Sequence, residues 1–456
     1  MDEGSQLCVS WGWSSCQDTA SAFPLCKQCD PMFSEAYRRY VLGTLTLVYT
    51  LNYIDRNLII LLLEPIKEDL NLSDTQLGFV TGIAFGLFYT TLGLPIARWS
   101  DRGNRVTVTS LAIGLWGITV MSCLFVGNFI QLVFARIAAA VGEAGCMPPT
   151  YSLIGDYFPQ PAPRARAMAI YALASPMSSL VAFIVGGWLN DLYGWRLTFF
   201  IMGIPALVLA ALVKMTIAEP RVRSIDERTA GLPPRMADVL SNLWRQRSSR
   251  HLSIAYILLL TMALGLAPWY AAFMMRSHSM GTKDLGTWLG LIFGLGGISG
   301  TLLGGYVAGR WFAEDERGQV RLSAATIASL LPCFMLFLLL PQRELALIAL
   351  MPLMVAFCFF LGPTYALMQR LVVNQMRATT LAVVMLLANL IGMGIGPQVV
   401  GILSDSLRPA MGNDSLRYAM LAMSMVAPWS AYHFWQVGKT VKEDLATVSY
   451  SGARQT

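Results

Sequence analysis

Residues 51–60 read LNYIDRNLII, and they lie inside an apolar run from Tyr40 to Leu63 that is long enough to cross a bilayer. Asp55 and Arg56 stand side by side in that run. A charge near the bilayer centre costs from about 2.5 to well over 10 kcal/mol, depending on how it is measured. Membrane helices keep such residues where they pair inside a bundle or line a transport path.

The rest of the chain fits a membrane reading. Of 456 residues, 55% are hydrophobic and only 13% charged, whereas a soluble domain carries about 25% charged residues. Mean hydropathy is +0.54. The net charge of +6 is spread over short loops rather than gathered in one basic block, so no nucleic-acid partner is expected. The first 30 residues lack a basic start followed by an apolar core, which is the mark of a cleavable signal. They hold Cys8, Cys16, Cys26 and Cys29. One Cys-x-x-Cys pair without a second pair or a nearby His is a poor zinc signal. Residues 1–35 are therefore expected to be a disordered cytosolic tail, with Met32 as an alternative start. Cys123, Cys146, Cys333 and Cys358 lie in apolar segments and are expected to pack. No cofactor or metal is expected.

Twelve candidate spans follow, at about 20 residues each. They run over 38–63, 75–97, 106–126, 130–153, 165–188, 196–217, 252–275, 285–309, 321–340, 345–369, 378–402 and 414–437. The polar segment 218–250, with a stretch from Met236 to Trp244 that would form an amphipathic helix, separates six spans from six. The expected organisation is a bundle over 36–217, a cytoplasmic linker over 218–250, a second bundle over 251–438 and a C-terminal tail over 439–456. With the N-terminus inside, the inner segments hold 24 Lys and Arg and the outer ones 7, which predicts cytoplasmic termini in a plasma membrane.

The halves repeat each other. RARAMAIYALASPMSSLVAFIVGGWLND spans Arg164 to Asp191, and RATTLAVVMLLANLIGMGIGPQVVGILSD spans Arg377 to Asp405. LPIARWSDRGNR after the second span answers LGGYVAGRWFAEDERGQVR after the eighth, at nearly the same offset. A duplicated six-helix unit is a transporter architecture.

These residues resemble the major facilitator superfamily, whose loop between helices 2 and 3 reads roughly Gly-x-x-x-Asp-Arg-x-Gly-Arg. Here it is Ala97-Arg98-Trp99-Ser100-Asp101-Arg102-Gly103-Asn104-Arg105, with two glycines replaced. Gly309 stands where the second copy would carry Asp, so only the first copy is expected to act as a charged latch. A narrower resemblance, to the spinster family, rests on LNYIDRNLI, on FARIAAAVGEAGCMPPTYSLIGDYFP and on Gly194-Trp195-Arg196. It implies an all-α membrane protein with twelve helices in two pseudo-symmetric six-helix bundles, and a bacterial member. It also implies that Asp101, Arg102, Arg105 and Arg377 form a cytoplasmic gate, with Asp101 near the start of the eleventh helix.

Arg136 and Glu143 are seven residues apart and share a helix face. Counting depth at about 1.5 Å per residue sets Asp55 and Arg136 at similar levels, with Glu143 deeper and Arg56 between. Two charges of each sign would neutralise one another across a shared cavity. Asp55 and Glu143 are the expected proton-coupling groups. Arg56, Arg136, Asn52 and Tyr53 are expected at the substrate. Trp269, Tyr270, Tyr365, Gln369 and Asn389 are the candidates on the opposite wall, where packing is the alternative for each. The purely structural alternative for the four charges is a static clamp between helices 1 and 4.

An enzyme is not expected. His251, His278 and His433 lie near span ends and are expected to be far apart, and no metal-ligand cluster, nucleophile motif or phosphate loop is present in the sequence. The leading expectation is a monomeric, proton-coupled secondary transporter for an amphipathic lipid of lysolipid or sphingolipid type, embedded among membrane lipids. A proton-driven multidrug exporter is the runner-up. A lipid-binding or scrambling protein without ion coupling is the third reading.

Overall fold

A computed structural model of the chain describes residues 33–220, 236–312, 315–373 and 376–453. The expectations for the cysteine-bearing tail, and for residues 221–235 of the linker, lie outside the described residues. Residues 33–41 belong to a small separate unit, the opening turns of the first helix, where Arg39 pairs with Glu35. Leu42 onward is one compact unit.

The described residues are almost entirely helical. In chain order, the first half holds α1 (Glu35–Leu70), α2 (Asp74–Thr81), α3 (Ile83–Arg102), α4 (Arg105–Ser122), α5 (Phe129–Ala144), α6 (Met147–Tyr157), α7 (Pro161–Ala172) and α8 (Ala174–Thr216). After the linker come α9 (Met236–Arg245), α10 (Arg247–Leu266), α11 (Trp269–His278), α12 (Thr282–Trp311), α13 (Glu316–Ala328) and α14 (Leu330–Leu339). The chain closes with α15 (Arg343–Phe359), α16 (Leu361–Arg370), α17 (Arg377–Asn389), α18 (Gly396–Met411), α19 (Ser415–Ser424) and α20 (Val426–Ala453).

Nine stretches among the described residues are long and apolar enough to cross a membrane. Two of them, Pro161–Thr216 and Thr379–Val448, hold two crossings each. With the charge-bearing α1 these make the twelve spans. An even number of crossings puts both chain ends on one side, here termed the terminal side; the other is the distal side.

Local chemistry sets the breaks. Ser73 caps α2 through the Gln76 amide, and Gln76 returns a bond to the Ser73 amide. Asn104 and Asn128 cap α4 and α5 by accepting from the amides of Thr107 and Gln131. The fifth span begins in α7 and continues into α8, which is two helices, the end of the fifth span and the sixth, meeting at Gly194, whose φ of 76° is open to glycine and costly for other residues. Between α17 and α18 a π-helical turn covers Leu390–Ile395, which holds Gly392 and Gly394. Surface and core follow membrane logic. Phe183, Phe199, Trp116 and Phe334 are fully buried between helices, while Ile118, Phe134, Val208 and Leu302 are exposed as a lipid-facing surface.

The halves meet at their distal ends. α2 packs on α18, and α8 packs on α12. Backbones also touch midway along the eleventh span: a Cβ added at Gly82 would lie 2.6 Å from the carbonyl oxygen of Gly394, in the π-helical turn. The hydrogen bonds and ion pairs found between the halves, among the described residues, lie on this distal side. On the terminal side Arg102 and Arg377 are exposed.

Candidate functional site

α1 passes α5 at the level of the opening motif, and the four intramembrane charges form two pairs. Arg136 Nη1 donates to Asp55 Oδ2 at 2.5 Å. Arg56 Nε donates to Glu143 Oε2 at 2.5 Å. Consecutive residues on a helix point about 100° apart. Asp55 and Arg56 therefore reach positions on α5 that lie two turns from each other. Asp55, Arg136 and Glu143 are almost wholly buried, at 2%, 4% and 0% exposure. Arg56 is the accessible member, with 14% of its side chain exposed.

Aromatic rings from two helices enclose the arginines. The Arg56 guanidinium carbon lies 4.3 Å from the Tyr89 ring centroid, 4.7 Å from that of Tyr53 and 4.8 Å from that of Phe85. Arg136 lies 4.9 Å from the Phe85 centroid. A guanidinium over a ring face is stabilised by the ring quadrupole, the more so when desolvated. Phe85 and Tyr89 are uncharged residues of α3, and nothing in a sequence of apolar spans singles them out; aromatic spacing of four is common in packing helices.

The site is only partly bonded. Arg56 Nη2, Arg136 Nε, Glu143 Oε1 and Asn52 Oδ1 are buried and have no hydrogen-bond partner. Leaving a buried polar group unmatched costs roughly 1–3 kcal/mol. Asn52 Nδ2 reaches only the Cys146 sulfur, at 3.7 Å. Asn57 ties α1 to α8 through the Ser178 hydroxyl at 3.3 Å.

The expected opposite wall is more dispersed. Trp269 is fully buried, and its Nε1 has no partner. The Tyr270 ring packs among Phe293, Phe334 and Phe337. Tyr365 is held by a 2.8 Å bond between its hydroxyl and that of Tyr256. Gln369 is exposed. Asn389 donates to the Met385 carbonyl within its own helix.

Of the expected gate, Arg105 ties the first half together. It bonds Glu219 at 2.8 Å, Ser152 at 2.6 Å and Asp156 at 2.6 Å. The latch expected at Asp101 lies outside the described side chains. A second polar cluster, at the distal side, is absent from the sequence reading. Arg276 of α11 bonds both Glu64 of α1 and Asp74 of α2 at 2.7–2.8 Å. Lys67 and Ser404 each reach Asp74 at 2.6 Å. Asp405 of α18 accepts from the Thr75 amide at 2.7 Å and its hydroxyl at 2.6 Å, capping α2 from the other half.

One expectation is corrected. His251 and His433, far apart in sequence, meet with their Nδ1 atoms 2.8 Å apart, because α10 packs along α20.

A family model described as the Major Facilitator Superfamily matches residues 45–397. An MFS-type efflux pump of Mycolicibacterium smegmatis is 33% identical over 411 residues, covering 88% of this chain and 93% of its own length. Protein spinster homolog 1 of Homo sapiens is 26% identical, covering 81% of this chain and 73% of its own. The chain is also similar to the crystal structure of a bacterial homologue of the human lysosomal transporter Spinster, in an inward-facing and unoccupied conformation. That match has 28% identity and a TM-score of 0.80, and covers 90% of this chain and 99% of that one.

Proposed function

This chain belongs to the major facilitator superfamily as an integral, multi-pass membrane transporter, and we propose that it moves a single-chain amphipathic lipid in a proton-coupled, alternating-access cycle. One observation carries the reading: two buried ion pairs whose members still hold unmatched donors and acceptors. A static clamp gains by bonding every buried polar atom. Free atoms on Arg56, Arg136 and Glu143 favour a site that waits for a headgroup and a proton.

In this reading the lipid head approaches Arg56, the accessible member, and draws it away from Glu143. Glu143 then loses its counter-charge in an apolar setting and takes up a proton. Asp55 repeats the logic when Arg136 moves. The tail lies along the uncharged faces of α10, α11, α16 and α17, and each buried CH₂ contributes about 0.8 kcal/mol. The 24-to-7 bias of Lys and Arg supports cytoplasmic termini. The terminal side is then the inner one, and the conformation described here is inward-facing. The protein works as a monomer in the plasma membrane, each half contributing one wall of the path.

The test is proton flux in liposomes holding the purified protein and a pH dye. A lysolipid gradient should drive proton movement, and affinity should rise with chain length. Lipid movement without proton flux, or a flat dependence on chain length, overturns the reading. A second reading, export of small hydrophobic drugs, is favoured by the efflux-pump relative. It requires drug-driven proton flux in the same liposomes with no response to lysolipids.

A further inference from the structure

α9 is a ten-residue helix between the linker and the first crossing of the second half. At 100° per residue, Val239, Leu243, Met236, Leu240 and Trp244 fall in one arc of about 140°, and Asp238, Ser241, Asn242 and Arg245 fill the other. Only one edge of the apolar arc is covered. Val239 is fully buried where α9 packs on α10 and α17. Met236, Leu240 and Trp244, at successive turns, are 54%, 47% and 67% exposed.

The position of this open edge relative to the membrane follows from the chain. α10 crosses the membrane and begins at Arg247, three residues after Trp244. Gln246, in an extended conformation, breaks the helix between them, so α9 does not continue along the α10 axis. The corner is held to α20: the Ser248 amide donates to Asp444 at 2.8 Å, and the Ser248 and Thr440 hydroxyls are 2.7 Å apart. Trp244 is therefore next to the end of a membrane-crossing helix, and tryptophan is enriched at that level, where headgroups lie. Arg245 and Arg247 are exposed, and the Arg250 guanidinium lies 5.8 Å from the Trp244 ring centroid. Among the described residues no carboxylate pairs with any of the three.

We propose that α9 is an interfacial anchor, with Met236, Leu240 and Trp244 set into the leaflet on the terminal side and Arg245, Arg247 and Arg250 holding the headgroups of anionic phospholipids. Open apolar side chains beside unpaired arginines suit a negatively charged lipid surface, because both terms add at one depth. A protein partner would need acidic groups facing three arginines and an apolar groove at the same level. The anchor stiffens the linker between the halves and ties α17, the start of the eleventh span, to leaflet composition.

The test uses the full chain in nanodiscs of phosphatidylcholine alone or mixed with phosphatidylglycerol, followed by amide hydrogen exchange over residues 236–245. Exchange should slow with phosphatidylglycerol, on the order of five-fold for each arginine engaged. The triple variant R245Q/R247Q/R250Q should lose that lipid dependence. Leu240→Ser with Trp244→Ser, at exposed positions that leave the core intact, should raise exchange in both compositions. Equal exchange of the unaltered protein in the two compositions overturns the proposal. So does protection that appears only with two copies per disc, which would make the occupant of the stripe a second chain.

Discussion

Two charge clusters share the first helix and are built in opposite ways. The central one, Asp55–Arg136 and Arg56–Glu143, lies within the first half and leaves buried atoms unbonded. The distal one joins the halves: Arg276 makes five bonds to Glu64 and Asp74, while Lys67, Ser404 and the α2 cap by Asp405 complete it. The difference teaches where each does its work. A fully bonded network across an interface favours the conformation that makes it. A partly bonded one inside a single half cannot choose between conformations by itself, but it can respond to a ligand or a proton.

The contrast breaks most visibly at Arg136. Arg136→Ala strands the Asp55 carboxylate in an apolar setting, which costs about 3–5 kcal/mol. Thermal unfolding in detergent should show a large loss. Asp55→Asn combined with Arg136→Gln should recover most of that stability while transport stays absent. A double variant as unstable as Arg136→Ala would mean that the pair is a structural clamp.

The distal cluster should answer in conformation rather than in stability. Arg276→Ala removes the five Arg276 bonds that reach across the halves and leaves those of Asp405 and Ser404 in place, and hydrogen bonds to charged groups contribute roughly 1.5–3 kcal/mol. A spectroscopic distance across the distal ends should show a population with those ends apart, larger by on the order of ten-fold. Asp101→Ala should move the balance the other way, toward the terminal side open, if the motif latches that side as the family resemblance implies. The same distance distribution in Arg276→Ala and in the unaltered protein would reduce the distal network to surface pairing.

A smaller shift of the same sign is expected from the glycine seam. Gly82→Ala sets a methyl 2.6 Å from the Gly394 carbonyl, and both are backbone positions that cannot rotate away. Overpacking of this kind costs about 1–3 kcal/mol. The Gly394 contact joins the halves, whereas an equal 2.6 Å approach to the Gly78 carbonyl lies within the first half, so the variant should favour separation of the halves, lose some stability in either state and leave the central pairs unaltered. A distal distance unchanged in Gly82→Ala would mean that the seam yields without cost.

How much of this was legible beforehand follows the same division. Asp55, Arg56, Arg136 and Glu143 stand out because charge is rare in apolar runs, and the seven-residue spacing of Arg136 and Glu143 puts them on one face. The exchange of partners between neighbours on α1 was not legible, because it depends on how α1 is rotated against α5. Phe85 and Tyr89 carry no charge and so gave no signal. Glu64, Asp74, Arg276 and Asp405 lie near span ends, where charge is ordinary. Only the docking of α2 on α18 and of α11 beside them makes a network of these four. The Asp191 and Asp405 copies look alike in sequence, yet Asp191 is exposed and Asp405 caps α2.

The smallest expected effect lies beside the distal network, in a pair that stays within the first half. Asp69, beyond the membrane-crossing part of α1, bonds Arg196 at 2.7 Å, with both side chains about a third exposed or more. The hydrogen bond and charge of Arg196 hold the Asp69 carboxyl below its ordinary range. A carboxylate whose pKa is depressed on folding contributes stability above its unfolded pKa of about 3.9, and that contribution is lost as pH falls through the folded value. Surface pairs of this kind are worth only about 0.2–1 kcal/mol, because solvent screens them. Asp69→Asn should therefore lower the melting temperature slightly at neutral pH, and the gap from the unaltered protein should close in acid below the depressed pKa. Distal opening should not change, since both partners move with one half. A gap that persists unchanged in acid would mean that the lost stability comes from packing around residue 69 rather than from its charge.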